Sequence, residues 1–328
     1  MTATSRTKLK DPCQCHYLFL SPQAARELPR YQYHGQDDSY LYAYILSPLA
    51  NFLVEHCTPS YIAPNTITLA GLLFVLLAHC LFWYYTPTFA PSPDIPSWVF
   101  GYAGCATLIY QTLDNMDGKQ ARKTSTSSPL GLLFDHGCDA INMVLTAMAW
   151  WVAMGWDPAL QQVRFFMTIF LPLTTFYINT WEHYYTGKLI LPVINGPSEG
   201  LLGAAATCFV TAGWGVEWWQ TPRWEQWCAA DVYFILAGVG LILEALTKIG
   251  NTVTTPTTTQ ESVAVQLRNL TPMLVLGACF ALVDSSIWLR TPRTSIHLIG
   301  VLYMDMTTDL MFAHMTKQAY SPVERGLV

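Results

Sequence analysis

Two pairs of aspartates in the middle of the chain have the residue type and the spacing of a metal site. They lie three and four residues apart, and each pair therefore occupies one face of a helix: Asp114 with Asp117, and Asp135 with Asp139. Both pairs lie inside segments apolar enough to cross a membrane, where an aspartate is costly and marks a functional site. Oxygen-only ligation suits a hard cation, and four carboxylates balance two divalent ions. The pattern predicts that all four aspartates bind two ions of Mg²⁺ or Mn²⁺.

Small residues and one arginine accompany the aspartates and indicate a phosphate ligand. Gly118 shares the helical face of the first pair, and Gly131 shares that of the second pair. Arg122, one turn nearer the end of the first segment, is placed to bind a phosphate with its planar guanidinium. Two bound cations would clamp the attacking and leaving oxygens of a phosphoryl transfer. The alternative, structural ion pairs with basic residues, is disfavoured because the apolar segments contain few Lys or Arg residues.

Composition places these segments in a membrane protein. Of the 328 residues, 52% are hydrophobic and 12% are charged, about half the charged share of a soluble domain. The net charge of -5 comes without a basic patch, which argues against nucleic-acid binding. We predict an all-α polytopic membrane protein with an N-terminal interfacial helix at 37–57 and about eight transmembrane helices, near 64–86, 97–121, 130–155, 161–184, 198–215, 226–249, 264–285 and 297–316.

The spans divide the chain and give it an orientation. We expect a cytosolic N-terminal segment at 1–60, a six-helix catalytic membrane core at 61–256, and two further helices with a short tail at 257–328. With a cytosolic N-terminus, thirteen of the 17 Lys and Arg residues fall on the cytosolic side, together with the aspartates. The short polar link between the two aspartate-bearing segments makes them antiparallel neighbours.

A family resemblance rests on the same residues. The pattern D-x2-D-G-x2-A-R-x8-G-x3-D-x3-D, from Asp114 to Asp139, resembles the signature of the CDP-alcohol phosphotransferase family. Members of that family move a phospho-alcohol from a CDP carrier to a hydroxyl group. The flanking segments are similar to the eukaryotic choline/ethanolamine phosphotransferase branch: YQTLDNMDGKQARK, FDHGCD, APNTITLAG, WEHYYTGKL and GPSEG. The resemblance covers about residues 38–317.

The resemblance implies a role for each matching residue. The four aspartates would hold two Mg²⁺ ions on the diphosphate of the CDP-alcohol, and the nucleotide would contact Asn65, Gly118, Arg122 and Gly131. His136 would be the base that deprotonates the sn-3 hydroxyl of diacylglycerol, with Glu199 orienting it.

The chemistry of His136 agrees with this role, because an imidazole with a pKa near 6.5 suits general-base catalysis near neutrality. A structural hydrogen bond from His136 to a carboxylate is the alternative, and Asp139 is a second candidate for the base.

The implied function is transfer of phosphocholine or phosphoethanolamine from CDP-choline or CDP-ethanolamine to diacylglycerol, giving a phospholipid and CMP. The implied location is the endoplasmic reticulum or a related endomembrane, and the sequence leaves a homodimer open. One alternative is a family member that uses CDP-diacylglycerol. Another is a divalent-cation transporter, although a transporter has no need of the Gly118, Ala121 and Arg122 element.

Two features bear on the head group of the substrate. The resembling branch usually has glutamate directly after the motif glycine, where this chain has Leu132. Three aromatic residues near the expected mouth of the site are candidates for cation–π contacts with a quaternary ammonium, or for anchoring at the membrane interface: Trp181, Tyr184 and Tyr185.

Overall fold

The computed structural model describes residues 21–255 and 261–320, and helices dominate them. The α-helices are α1 (Pro22–Glu27), α2 (Ser47–Phe52), α3 (Pro64–Tyr85), α4 (Ser97–Lys123), α5 (Pro129–Met154), α6 (Gln162–Thr186), α7 (Leu201–Trp214), α8 (Glu217–Gln220), α9 (Ala229–Thr254), α10 (Val263–Arg268), α11 (Thr271–Leu282), α12 (Ser285–Arg290) and α13 (Pro292–Thr316). Four short strands complete the described fold: β1 (Gly35–Asp37), β2 (Leu189–Leu191), β3 (Pro222–Trp224) and β4 (Trp227–Cys228).

The long helices lie where hydropathy predicts them, and the chain is an all-α polytopic membrane protein. Five segments of the described residues are long and apolar enough to cross a membrane: α3, α5, α9, α13 and the stretch Val263–Leu282. Of the other expected spans, α4 carries the charged residues of the motif and α7 has only 14 residues. A π-helical turn, Gly196–Gly200, precedes α7, and the Asn195 side chain caps it by accepting a hydrogen bond from Ser198 N.

Helix α5 lies at the centre of the bundle and is the most buried of the five apolar segments. It packs against α3, α6, α7 and α13, while α4 packs mainly against α3 and α7. Helices α4 and α5 meet each other at the aspartates, and α3 and α7 both pack against the two of them. Below the aspartates the core is aromatic, with fully buried Trp151, Phe165, Tyr177 and Tyr303.

The predicted interfacial helix is present as one continuous helical stretch. The π-helical turns Tyr42–Leu46 and Leu53–Cys57 flank α2. Its outer face exposes apolar side chains, whereas Ala50 and Val54 are buried against residues of α3 and α4. This amphipathic pattern is typical of a helix that lies in the membrane interface.

A small parallel sheet ties the segment before this helix to the end of α6. Strand β1 pairs with β2 in the register Gly35 with Leu189. The β2 strand is held in turn by α9, because Lys248 Nζ donates to the Ile190 carbonyl and lies 2.5 Å from the Glu182 carboxylate. Residues 31–39 are thereby fixed beside the ends of α5 and α6 that carry the candidate site.

Candidate active site

Three of the four motif aspartates converge where α4 meets α5. Asp114, Asp135 and Asp139 each direct one carboxylate oxygen to a common point, and these oxygens lie within 4.8 Å of one another. Helix α5 begins with an N-cap in which the Ser128 hydroxyl accepts from Gly131 N at 3.1 Å, so that both α5 aspartates lie within the first three turns. The arrangement concentrates negative charge at one depth in the bundle.

Neutral hydroxyl groups orient the carboxylates. Tyr110, one turn before Asp114 on α4, donates a 2.6 Å hydrogen bond to Asp139 Oδ1. Thr68 of α3 donates to Asp117 Oδ2. Asp117 is also within hydrogen-bond reach of Asp135, although it stands outside the group of three. Tyr110 could have been found from its helical spacing, whereas Thr68 gives no signal in the sequence.

The donors of this cluster fit a hard divalent cation. Asp114 Oδ1 and Asp135 Oδ1 are buried and have no hydrogen-bond partner among the described residues. Buried carboxylate oxygens in contact with one another are unfavourable unless a cation or a proton lies between them. A metal ion held by Asp114, Asp135 and Asp139, with Asp117 beside it, would satisfy these oxygens with the ligand type that Mg²⁺ prefers.

The residues expected to contact the nucleotide fall into two pairs in the structure. A Cβ atom added to Gly131 would lie 3.4 Å from Asn65 Oδ1, so α3 and α5 approach closely at this glycine. A Cβ atom on Gly118 would lie 3.7 Å from Arg122 Nη1. The Arg122 side chain is exposed and free to reach an incoming phosphate. The fold thus brings Asn65 to Gly131, and Arg122 to Gly118.

His136 faces α6, on a different side of α5 from the aspartates. Its Nε2 lies 2.9 Å from Thr180 Oγ1, and its ring contacts that of Phe176 in a tilted arrangement with centroids 4.8 Å apart. The side chain is 7% exposed. Thr180 also donates to the Phe176 carbonyl at 3.1 Å. His136 is therefore held by α6 and not by a carboxylate.

Glu199 is not joined to His136 by a hydrogen bond in the structure. Its carboxylate accepts from Ser39 Oγ at 2.5 Å and from Asn195 N at 3.0 Å. The reason is local: Glu199 belongs to the π-helical turn before α7, and its own Asn195 cap and the N-terminal segment supply the nearest donors. The structure thus assigns Glu199 to a contact between two loops.

Asp37 is the centre of that contact. Its Oδ1 accepts from Ser39 N and from Asn195 Nδ2, both at 2.9 Å, and its Oδ2 accepts from Ser198 Oγ at 3.2 Å. Burial raises the pKa of Asp37 and the charge of Glu199 raises it further, while the three donors oppose the shift. Sequence reasoning missed Asp37, because two of its partners, Asn195 and Ser198, are far away along the chain.

The three aromatic candidates for head-group contact are engaged elsewhere. Trp181 is fully buried and donates to the Gln266 carbonyl at 2.9 Å. Tyr184 donates to the Gln318 carbonyl at 3.0 Å, and Tyr185 donates to Glu261 at 2.9 Å. These side chains fasten α6 to α10 and to the segment after α13.

Comparisons with known proteins agree with the motif. The family model described as CDP-alcohol phosphatidyltransferase matches residues 61–243. Choline/ethanolaminephosphotransferase 1 of Arabidopsis thaliana is 42% identical over 61% of this chain and 50% of its own length. Choline/ethanolaminephosphotransferase 1 of Saccharomyces cerevisiae is 30% identical over 92% of this chain and 80% of its own. An uncharacterized CDP-alcohol phosphatidyltransferase class-I family protein 3 of Dictyostelium discoideum is 31% identical over 94% of this chain and 83% of its own.

Proposed function

The chain belongs to the CDP-alcohol phosphatidyltransferase family, and we propose that it transfers phosphocholine or phosphoethanolamine from the corresponding CDP-alcohol to the sn-3 hydroxyl of diacylglycerol. The products are phosphatidylcholine or phosphatidylethanolamine and CMP. The chain spans about half the length of the two Arabidopsis thaliana choline/ethanolaminephosphotransferases and four fifths of the length of the yeast relative.

One observation carries the proposal: carboxylate oxygens of Asp114, Asp135 and Asp139 meet within 4.8 Å. Two divalent ions, Mg²⁺ or Mn²⁺, held by these residues and Asp117, would neutralise the diphosphate and stabilise the charge on the departing CMP. Arg122 and the open backbone at Gly118 and Gly131 would position the nucleotide. A site of this kind accelerates transfer by orientation and charge neutralisation and needs no covalent intermediate.

His136 supports a general-base role through its hydrogen bond to Thr180. The Thr180 hydroxyl has one proton, and the carbonyl of Phe176 can only accept it. Thr180 Oγ1 then accepts from His136 Nε2–H, which leaves Nδ1 as the basic nitrogen. In this proposal His136 Nδ1 takes the proton of the lipid hydroxyl while that oxygen attacks phosphorus in line. Glu199 has no hydrogen bond to His136, so it would influence the position of His136 only indirectly, through the loop contact with Ser39. Asp139 is the alternative base.

The location of the site suits one lipid substrate and one soluble substrate. The excess of Lys and Arg on the side of the aspartates supports a site that faces the cytosol. The CDP-alcohol would enter from the cytosol and diacylglycerol from the bilayer. An endomembrane such as the endoplasmic reticulum provides both, and we assign the protein to it.

The proposal is tested with the purified full chain in micelles that contain diacylglycerol and Mg²⁺. CMP release from CDP-choline or from CDP-ethanolamine is the expected result. Absence of CMP release from both donors would refute the proposal. CMP release from CDP-diacylglycerol in the presence of a soluble alcohol would favour the alternative, a family member that uses CDP-diacylglycerol as its donor.

A further inference from the structure

Helix α4 has a second row of side chains, on the side turned away from the aspartates. The row has the helical spacing of three, four and seven residues and consists of Met116, Lys119, Gln120 and Lys123. Met116 is buried in one apolar cluster with Ala50 and Val54 of the interfacial helix. The other three side chains donate hydrogen bonds to that helix or to the loop after it. Helix α4 therefore connects the candidate site to the interfacial helix.

The polar members of the row hold the interfacial helix at two points, and we call them the clasp: Lys119, Gln120 and Lys123. Lys119 Nζ donates to Ser47 Oγ at 2.9 Å. Lys123 Nζ donates to the carbonyls of Val54 at 2.6 Å and Thr58 at 2.9 Å. An ammonium group in this position satisfies carbonyls at the C-terminal end of a helix and complements the helix dipole.

The clasp also holds the loop that leads into α3. Gln120 is fully buried, and its Nε2 donates to the carbonyls of Pro59 at 3.0 Å and Ile62 at 2.9 Å. Asn65 follows three residues after Ile62, and Thr68, which donates to a motif aspartate, lies one turn further. The position of the clasp therefore bears on the cytosolic ends of both α3 and α4.

The outer face of the interfacial helix fits a lipid surface. Four apolar side chains on it are between 42% and 76% exposed: Tyr44, Ile45, Leu49 and Phe52. The helix ends at Cys57, and α3, which is long and apolar enough to cross a membrane, begins at Pro64. The same bilayer that α3 enters can therefore bury this face. The two lysines of the clasp donate to the interfacial helix, so the attraction to lipid comes from apolar side chains.

We propose that the lipid surface regulates the enzyme through this helix. Insertion of its apolar face holds the clasp, and the clasp holds the ends of α3 and α4 in the position that transfer requires. This inference rests on the proposed function and adds regulation to it. Insertion by apolar side chains is sensitive to how tightly the lipid head groups pack. Diacylglycerol has only a hydroxyl as its head group and loosens that packing, so the acceptor itself promotes insertion.

The first test compares turnover in small and large vesicles of one lipid composition, with the same fraction of diacylglycerol and with CDP-choline or CDP-ethanolamine as donor. Small, highly curved vesicles expose more apolar area between their head groups. The kcat of the full-length wild type should be several-fold higher in them. Hydrogen exchange of the backbone amides at 42–57 measures insertion without turnover, and it should be slower in small vesicles.

A double-mutant cycle tests whether the clasp carries the effect. Leu49→Ser combined with Phe52→Ser removes apolar side chains from the lipid-facing side, and Lys123→Met removes two hydrogen bonds of the clasp. Each change should lower kcat in small vesicles several-fold. Together they should lower kcat no further than the stronger change alone, because the helix acts on α4 through the clasp. Lys123→Arg keeps donors for both carbonyls and should retain most of the activity.

Two further variants make the cycle decisive. Leu160→Ser alters an 83% exposed leucine between α5 and α6 and is the matched control for lost apolar surface. It should change neither kcat nor the exchange of the amides at 42–57. If Lys123→Met fails to fold, Lys119→Met, which removes the hydrogen bond to Ser47, takes its place in the cycle.

The outcomes separate the regulation from the proposed function. Equal kcat in the two kinds of vesicle, or a combined variant whose loss is the product of the single losses, would overturn the regulation and leave the proposed function intact. An equal loss of kcat in Leu160→Ser would assign the effect to apolar surface in general and overturn the regulation as well. A wild type whose amides respond to curvature but which releases no CMP from either donor refutes the proposed function, and the regulation with it.

Discussion

At the scale of single residues, the hydrogen-bond partners that support the aspartate cluster are uncharged. Tyr110 and Thr68 donate hydrogen bonds to Asp139 and Asp117 and thereby orient them. A lysine or arginine in the same place would orient the carboxylates equally well but would neutralise them. Hydroxyl donors leave the negative charge available for a cation, which is what a site for a diphosphate requires.

Asp135→Asn should abolish turnover and leave the protein folded. The amide has nearly the same shape but cannot balance a divalent cation. In the wild type, Mg²⁺ at about 100 times its Kd should stabilise the fold by about 2.7 kcal/mol, and this stabilisation should be absent in the variant. Thermal unfolding with and without Mg²⁺ measures it. Asp305→Asn, at an exposed carboxylate of α13, is the control. A near-normal rate in Asp135→Asn would exclude Asp135 from the metal site.

His136→Ala should lower kcat by about 10²–10⁴-fold, the usual contribution of a general base, with KM for the CDP-alcohol unchanged. Thr180→Val removes the partner of Nε2 and should cause a smaller loss of kcat. Steady-state kinetics with both substrates separates the two parameters. If KM for the donor rose as much as kcat fell, His136 would be a binding or structural residue and Asp139 would become the better candidate for the base.

At the scale of the elements, the long helices could be predicted and the contacts between loops could not. Hydropathy located α3 to α6 and α13, and the aspartate spacing located the site on α4 and α5. The β1–β2 pair joins residues far apart in sequence, and strands of three residues leave no periodic pattern. The partner of Glu199 was missed for the same reason: Ser39 reaches it only through that sheet. The role of Thr68 likewise depends on how α3 packs against α4.

The support of β2 by α9 leads to a prediction about stability. Lys248 and Glu182 form an ion pair with side chains only 6% and 7% exposed. Lys248→Leu leaves the Glu182 carboxylate buried without its partner and should cost about 3–5 kcal/mol of unfolding free energy. The double variant Lys248→Leu with Glu182→Leu should recover most of that loss. Denaturant unfolding in micelles measures both, and equal losses in the single and double variants would contradict the account.

At the scale of the whole molecule, the proposed entry of the CDP-alcohol from the cytosol requires that the aspartates face the cytosol, while the β3–β4 hairpin lies on the other side. The charge asymmetry supports this orientation, and the division at residues 60 and 256 stays a prediction with it. In a background with Cys13, Cys15 and Cys57 replaced by Ser, Glu225→Cys in the hairpin should react with an impermeant maleimide only after sealed vesicles are permeabilised. Restored Cys57 should react at once. The reverse pattern would invert the orientation.

In the proposed function, the carboxylates of α4 and α5 support metal-dependent transfer of a phospho-alcohol to diacylglycerol. The most direct measurement follows CMP and labelled phospholipid together, from head-group-labelled CDP-ethanolamine and CDP-choline, with the purified chain. We predict equal amounts of CMP and phospholipid with Mg²⁺, and neither product after chelation or in Asp135→Asn. CMP without phospholipid, equal turnover in the presence of a chelator, or no product from either donor would contradict the claim.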